Sequence, residues 1–297
     1  MNKKNTTLPN HKNKPYGGAW SVDDPEQKKY VKSLVENNFN ELSNFDTKKF
    51  LNKYVEWFPS THNIKGLETF DSKTCSQGTT ETFDKWYQVT KNKRLRIFRG
   101  EYFYHQIAAR EIYSSWSWLE DGPIHNNDVV VVSCPFADTG NLPAYLDRIL
   151  QQCNDHQVPV LIDLAYINLA TNLSIDLSYN CIKVVTTSLS KVFPVPYHRI
   201  GMRLTKGIED DLMIAYQQNQ YVNRFSCGIG YHLMNKFEAN DTYIKYRSQQ
   251  LELCEKLNVE PSSSVLFGVD TQKAYQEYSR GGETNRLCFR KQFIKLY

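Results

Sequence analysis

Apolar residues along this chain fall into two kinds of run. In Tyr30–Phe39 they recur at three- and four-residue steps, the spacing of one helix face. Thr47 stands as an N-cap ahead of a second helical stretch, Lys48–Val55. Helical spacing returns around Glu81–Val89, over Leu142–Cys153, and in three late segments at 208–216, 231–237 and 242–257. The other runs are short and rich in β-branched residues, without polar alternation: Val129–Ser133, Val158–Leu164, Ile182–Thr187 and a weaker Ile200–Leu204. Ile97-Phe98 is a shorter strand ahead of them, and Asn285–Arg290 a last one. Strands without alternation are covered on both faces, and intervening helices supply the covers. The pattern predicts an α/β fold with a mostly parallel sheet. Residues 1 to about 25, rich in Lys, Asn, Thr, Pro and Gly, read as an arm. Tyr16–Trp20 sets two aromatics around a glycine hinge, and pinning of the arm to the body is the expected role.

Composition narrows the class. A chain of 297 residues suggests about two domains at roughly 150 residues each. With 40% hydrophobic and 23% charged residues it is globular, not disordered. The net charge of +4, from 36 basic and 32 acidic residues, is too even for a nucleic-acid partner. The densest basic stretch, Lys91–Arg96, reads as a solvated turn entering a strand. The first residues show no apolar stretch of signal-peptide length, and no run reaches the ~20 apolar residues of a membrane span. Seven cysteines, an odd number with no C-x-x-C spacing, point to neither a disulfide framework nor zinc. The expected setting is a reducing cytoplasm. The histidines are dispersed, without metal-ligand spacing.

In open α/β sheets the chemistry lies just past the carboxyl ends of the strands. One strand here ends in Asp163-Leu164-Ala165-Tyr166. The next ends in Thr187-Ser188-Leu189-Ser190-Lys191, and Arg199-Ile200-Gly201 follows. Singly, each is ordinary: a strand-end lysine is usually a surface residue, and a strand-end aspartate a cap. In this order they resemble the fold-type-I pyridoxal-phosphate enzymes, class I/II aminotransferase family, with its D-x-A-Y, S-x-x-K and R-x-G pattern. The resemblance spans roughly residues 60–297.

The resemblance implies an aspartate-aminotransferase-like fold, with a three-layer large domain around a mostly parallel mixed sheet and a reduced α+β C-terminal domain. The implied division is an N-terminal arm and helix at 1–44, a cofactor-binding domain at 45–207 and a small domain at 208–297. The implied cofactor is pyridoxal 5'-phosphate. Lys191 would form the Schiff base and shuttle the α-proton. Asp163 would keep the pyridine nitrogen protonated, and Tyr166 would hydrogen-bond the ring's 3-oxygen. Ser188 and Arg199 would hold the phosphate, with Ser190 either accessory or a turn hydroxyl. Gly78, Thr79 and Thr80 resemble the family's phosphate loop at a helix start. Tyr102 is the expected stacking ring, with Tyr104 second, and His105 matches a histidine found near the pyridinium carboxylate. Arg286 would take the substrate α-carboxylate, ahead of Arg290. The chain departs from the family where an asparagine is usual: Ala137 stands there, and Asp138 is a partial substitute.

The expected function is therefore an aminotransferase acting on an amino acid and a 2-oxo acid. The alternatives are a lyase, or a replacement or cyclisation enzyme working from the same Schiff base, and a non-catalytic cofactor-binding scaffold. A homodimer is expected by analogy, with Tyr54 or Phe58 reaching the neighbour.

Overall fold

The computed structural model describes residues 11 and 13–293. The start of the expected arm, residues 1–10 and 12, lies outside the described residues, as do residues 294–297. In chain order the elements are α1 (Pro25–Asn37), α2 (Phe39–Ser43), α3 (Thr47–Trp57), β1 (Asn63–Lys65), β2 (Ser72–Gln77), α4 (Gly78–Thr90) and β3 (Arg94–Ile97). Then come α5 (Phe103–Glu111), β4 (Trp116–Trp118), β5 (Asp128–Ser133), α6 (Leu146–Asp155), β6 (Val160–Asp163), β7 (Ser174–Asp176), β8 (Ile182–Ser188) and β9 (Ile200–Thr205). The last are α7 (Leu212–Gln218), α8 (Arg224–Lys236), α9 (Asp241–Leu257), β10 (Glu260–Pro261), β11 (Phe267–Asp270) and β12 (Asn285–Cys288).

The central sheet has seven strands in the order β2-β9-β8-β6-β5-β3-β4. β8, β6, β5, β3 and β4 run parallel, while β9 is antiparallel to both its neighbours. Every residue of β5 is buried, which explains its lack of alternation. Val129 and Val131 face α4 and α5, packing with Phe83, Trp86, Tyr87 and Ala109. Val130 and Val132 face the opposite way, into a core with Leu150 of α6, Phe50 and Tyr54 of α3 and Leu233 of α8. These are three layers, helix–sheet–helix. Two parallel strands, β1 and β7, form a separate pair. β10, β11 and β12 form an antiparallel sheet whose core includes Tyr246 of α9, Phe267, Leu287 and Phe289.

Several boundaries moved for physical reasons. The helix expected from Leu142 begins at Leu146, after a turn in which the Pro143 carbonyl accepts from Leu146 N. The helix expected from Ile208 begins at Leu212, where the Asp211 side chain caps Ile214 N. The last strand stops at Cys288. Strand β2 (SKTCSQ) was not foreseen: its inward positions include Thr74 and Ser76, so it carries no apolar signature. Helix α5 was also not foreseen. The basic stretch 91–96 is not all solvated. Arg96 is 1% exposed, its Nη1 3.0 Å from Asp128 Oδ2, and Arg94 grips the same carboxylate at 2.6 Å. Helix α8, expected in the small domain, contributes Cys227, Ile229 and Leu233 to the larger core. Tyr54 and Phe58 are fully buried in this chain's own core, with Tyr54 Oη 3.4 Å from Thr187 Oγ1. Neither side chain can reach a neighbouring subunit.

Candidate active site

The register of the parallel strands sets Ser133 beside Asp163 and Asp163 beside Thr186. The carboxyl ends of β5, β6 and β8 therefore open at one edge, where Gln77 pairs with Ile200 and Ser188 with Gly201. A cavity of about 350 Å³ lies there. Of the sequence-predicted residues, Thr79, Thr80, Tyr102, Asp163, Tyr166, Ser188, Lys191, Arg199 and Arg286 all border it. Gly78 does not; it sits behind Arg199.

At one end α4 begins. Gly78 has φ +66° and its N–H donates to Arg199 O at 3.1 Å. A Cβ on Gly78 would lie 2.5 Å from Arg199 Nη2, so the arginine occupies the space that only glycine leaves free. Arg199 Nη2 donates to Thr80 Oγ1 at 2.7 Å and to Gln77 O at 3.1 Å. Arg199 itself has φ +53°, a left-handed conformation that costs energy in a non-glycine residue. The first amides of α4 and this guanidinium are donors of the kind that could hold an anion. Ser188 Oγ donates to Ile200 O at 3.0 Å and accepts from Ser190 N at 3.2 Å. Ser190 Oγ lies equally close to Ser188 Oγ, at 3.0 Å, and Ser190 also borders the cavity, so the two hydroxyls form one linked pair.

In the floor, Asp163 is 4% exposed and accepts from Ala165 N at 2.9 Å. Burial pushes its carboxyl up to about 7, and the nearby Glu101 carboxylate adds to this; Ala165 N–H and Lys191 oppose it. Lys191 Nζ donates to Ala19 O at 2.8 Å. Burial lowers its amine below the usual lysine range and Arg286 helps, against the pull of Tyr166 and Asp163. Tyr166 packs edge-on against Phe267, with ring centres 5.2 Å apart, and its hydroxyl accepts from Arg286 Nη1 at 3.4 Å. Arg286 is 4% exposed. Its Nη1 also donates to Ala137 O, and its Nη2 to Gly18 O at 3.0 Å.

Other expectations resolve differently. Tyr104 does not border the cavity; its hydroxyl donates to Asp84 at 2.6 Å. His105 is buried with Nδ1 2.5 Å from Tyr87 Oη and Nε2 without a hydrogen-bond partner, and burial lowers it to about 3. Arg290 lies 3.9 Å from Asp23 and outside the cavity lining. Asp138 does not take the place of the usual asparagine: it accepts from Thr284 Oγ1 at 2.9 Å, away from the cavity that Ala137 borders. The arm both pins and covers. Cys288 N donates to Tyr16 O at 2.8 Å, and Gly18, Ala19 and Trp20 border the cavity.

Two residues were missed. Glu101 is fully buried, accepting from Ser133 N at 3.0 Å, from Tyr102 N at 2.7 Å and from the Ser133 hydroxyl. Its place just past β3 was the available signal, by the same strand-end rule that found Asp163. Arg280 borders the cavity from the loop before β12, and no sequence signal marks it.

Fold and cavity together define an α/β enzyme of the aspartate-aminotransferase architecture. The sequence profile of aminotransferase class I and II matches residues 117–273, and the chain belongs to that family. Its members depend on pyridoxal 5'-phosphate. Among solved structures, the fold is shared with an aromatic aminotransferase from Pyrococcus horikoshii (12% identity, 94% of this chain and 91% of that one, TM-score 0.68). It is shared also with aspartate aminotransferase from Thermus thermophilus (13%, 94% and 88%, TM-score 0.66). A third is L-threonine-O-3-phosphate decarboxylase from Porphyromonas gingivalis (14%, 94% and 98%, TM-score 0.65). A search of curated protein sequences finds no match. The cavity suits the cofactor: donors suited to an anion at one end, an amine on one wall, and a buried carboxylate with a single protein donor in the floor. No described helix is long and apolar enough to cross a membrane.

Proposed function

We propose that this chain is an aminotransferase that moves the amino group of an amino acid to a 2-oxo acid. The observation that supports this most is the convergence of Lys191, Asp163, Tyr166, Arg199 and Arg286 on one cavity. When bound, pyridoxal phosphate supplies an electron sink for the charge that develops at the substrate's α-carbon.

The chain's residues divide the rest. Arg199, the α4 amides and the Thr79 and Thr80 hydroxyls hold the phosphate. Tyr102 offers its ring as a stacking face. Asp163 holds a proton on the pyridine nitrogen; the cost of its burial as an anion is repaid by that charge. Tyr166 donates to the ring's 3-oxygen. Lys191 would hold the cofactor through its amine, and the same amine would take the proton from the substrate's α-carbon. Its lowered basicity favours the neutral, nucleophilic amine. Arg286 orients the substrate α-carboxylate, which takes over the donor now given to Gly18 O. We place the chain in a reducing cytoplasm, consistent with seven cysteines outside any disulfide. A homodimer is proposed from the family analogy. The cofactor domain in this reading includes α8, with the small domain starting near α9.

The test is a purified protein titrated with pyridoxal phosphate. Borohydride should fix the cofactor on Lys191, read by peptide mass. In a separate, unreduced sample, an amino donor alone should release one equivalent of 2-oxo acid per site without ammonia. No uptake of cofactor overturns the reading; continuous ammonia release makes the chain a lyase.

A further inference from the structure

Cys75 on β2 and Cys227 on α8 stand 152 positions apart in sequence, yet Cys227 Sγ donates to Cys75 Sγ at 3.5 Å. Both are free thiols, and the proposed reaction uses neither. Cys75 is 7% exposed and Cys227 4%, so each keeps a little access. That access is a second cavity, of about 50 Å³, which both cysteines border together with the exposed Tyr216 and Tyr221. It has room for a molecule the size of water or hydrogen peroxide.

The pair lies behind the phosphate end of the larger cavity. Three residues past Cys75, Gly78 opens α4, and its N–H donates to Arg199 O at 3.1 Å. Ser76 pairs with Gly201 so closely that a Cβ on Gly201 would lie 2.8 Å from Ser76 Oγ and 2.9 Å from Gly78 Cα. From the other side Ser226, next to Cys227, donates from its hydroxyl to His198 O at 2.6 Å. The turn that carries Arg199 is thus held by β2 and by α8, and the two sulfurs meet between those supports. Disulfide sulfurs are about 2.05 Å apart, so bonding requires them to close by about 1.5 Å. Buried side chains have little room to turn, so part of that movement falls on β2 and α8 and reaches the fit between Gly78 and Arg199.

We propose that Cys75 and Cys227 form a redox-sensitive pair, which hydrogen peroxide joins in a disulfide that weakens phosphate binding. This rests on the reading of Arg199 and α4 as the phosphate site. One thiol gives up its proton and attacks a peroxide oxygen. The O–O bond breaks, the sulfur becomes a sulfenic acid, and the other oxygen leaves as water with that proton. The second sulfur then attacks the sulfenic sulfur, and its proton leaves with the hydroxyl as a second water. Two thiols lose two electrons, and one peroxide is reduced to two waters. Contact with Cys227, burial and the Glu81 carboxylate hold the Cys75 thiol well above its ordinary range, so the pair resists low levels of oxidant. A transient bond of this kind fits a reducing cytoplasm.

The experiment starts from the whole chain, reduced and then treated with hydrogen peroxide. After removal of peroxide and alkylation of the remaining thiols, non-reducing digestion should give the Cys75 and Cys227 peptides linked, two hydrogens lighter than their sum. Pyridoxal phosphate, titrated by absorbance, should bind the oxidised protein about 10-fold or more weakly than the reduced protein, the effect of one lost charge-assisted hydrogen bond. Dithiothreitol should restore the affinity. Cys227→Ser and Cys75→Ser should bind cofactor as the reduced protein does and keep that affinity after peroxide; should one variant not fold, the other carries the comparison. Peroxide that leaves both thiols free to alkylate, or links them to other cysteines, overturns the inference. So does a Cys75–Cys227 link with unchanged cofactor affinity, or a loss of affinity that persists in the variants. Failure of the reduced protein to take up cofactor overturns the functional reading and the effect on affinity with it, while the linked peptides still decide the bond.

Discussion

Asp163→Asn is expected to make the cofactor-free protein more stable, and only at higher pH. The carboxyl is 4% exposed and is held at about 7 in the fold, against an ordinary 3.8. Between those two values the folded chain keeps a proton that the unfolded chain has lost. Unfolding then releases the proton, so stability falls as pH rises through that window, and above about pH 7 the whole penalty is present. At ~1.4 kcal/mol per pH unit the gap corresponds to about 4 kcal/mol. Asparagine has the same shape, keeps an oxygen for Ala165 N–H and carries no charge. The variant and the original should therefore match near pH 4 and diverge toward about 4 kcal/mol at pH 8. Urea unfolding of cofactor-free protein at several pH values, followed by far-UV circular dichroism, measures this. Loading with pyridoxal phosphate should erase the advantage, because a protonated ring nitrogen makes the buried charge favourable. A stability difference that does not change with pH would refute the reasoning, since the carboxylate would then not be the destabilised group.

Other outcomes follow from the same geometry. Gly78→Ala sets a Cβ 2.5 Å from Arg199 Nη2 at φ +66°, with a backbone cost of about 1–2 kcal/mol. It should weaken cofactor binding by about 10-fold or more, read by absorbance titration, and unchanged affinity would remove Arg199 from the phosphate site. Lys191→Ala should leave a folded protein that borohydride no longer labels; labelling retained at another lysine would dismiss Lys191 as the cofactor amine. Asp128→Ala leaves the buried Arg96 without its carboxylate and should cost about 3–5 kcal/mol in urea unfolding. A loss below about 1 kcal/mol would mean that the Trp118, Gly122 and Pro123 carbonyls satisfy Arg96 by themselves.

The central strands were legible because burial on both faces leaves its mark in composition. Val129–Val132 could scarcely be anything else, and the residues just beyond such strands are where parallel sheets expose their chemistry. Asp163, Tyr166, Ser188, Lys191 and Arg199 could thus be picked out with their order and spacing. Strand β2 escaped because its buried positions are threonine, cysteine and serine, held by pairing to β9 and not by apolar packing. Glu101 escaped because a lone glutamate beside Tyr102 reads as a solvated loop residue, and only the tertiary fold buries it.

Linear order therefore specified the α/β class and which residues follow the strand ends, since these depend on local period and on neighbours a few residues apart; the kind of cofactor came from the resemblance of those residues to the aminotransferase family. Folding alone determined the rest. It turned Asp138 away and brought Arg280 into the cavity, sealed Tyr54 and Phe58 inside, and laid the arm across Lys191 and Arg286. Those outcomes depend on pairs such as Gly18 and Arg286, 268 positions apart, whose meeting is decided by how two cores pack and which buried donors find acceptors.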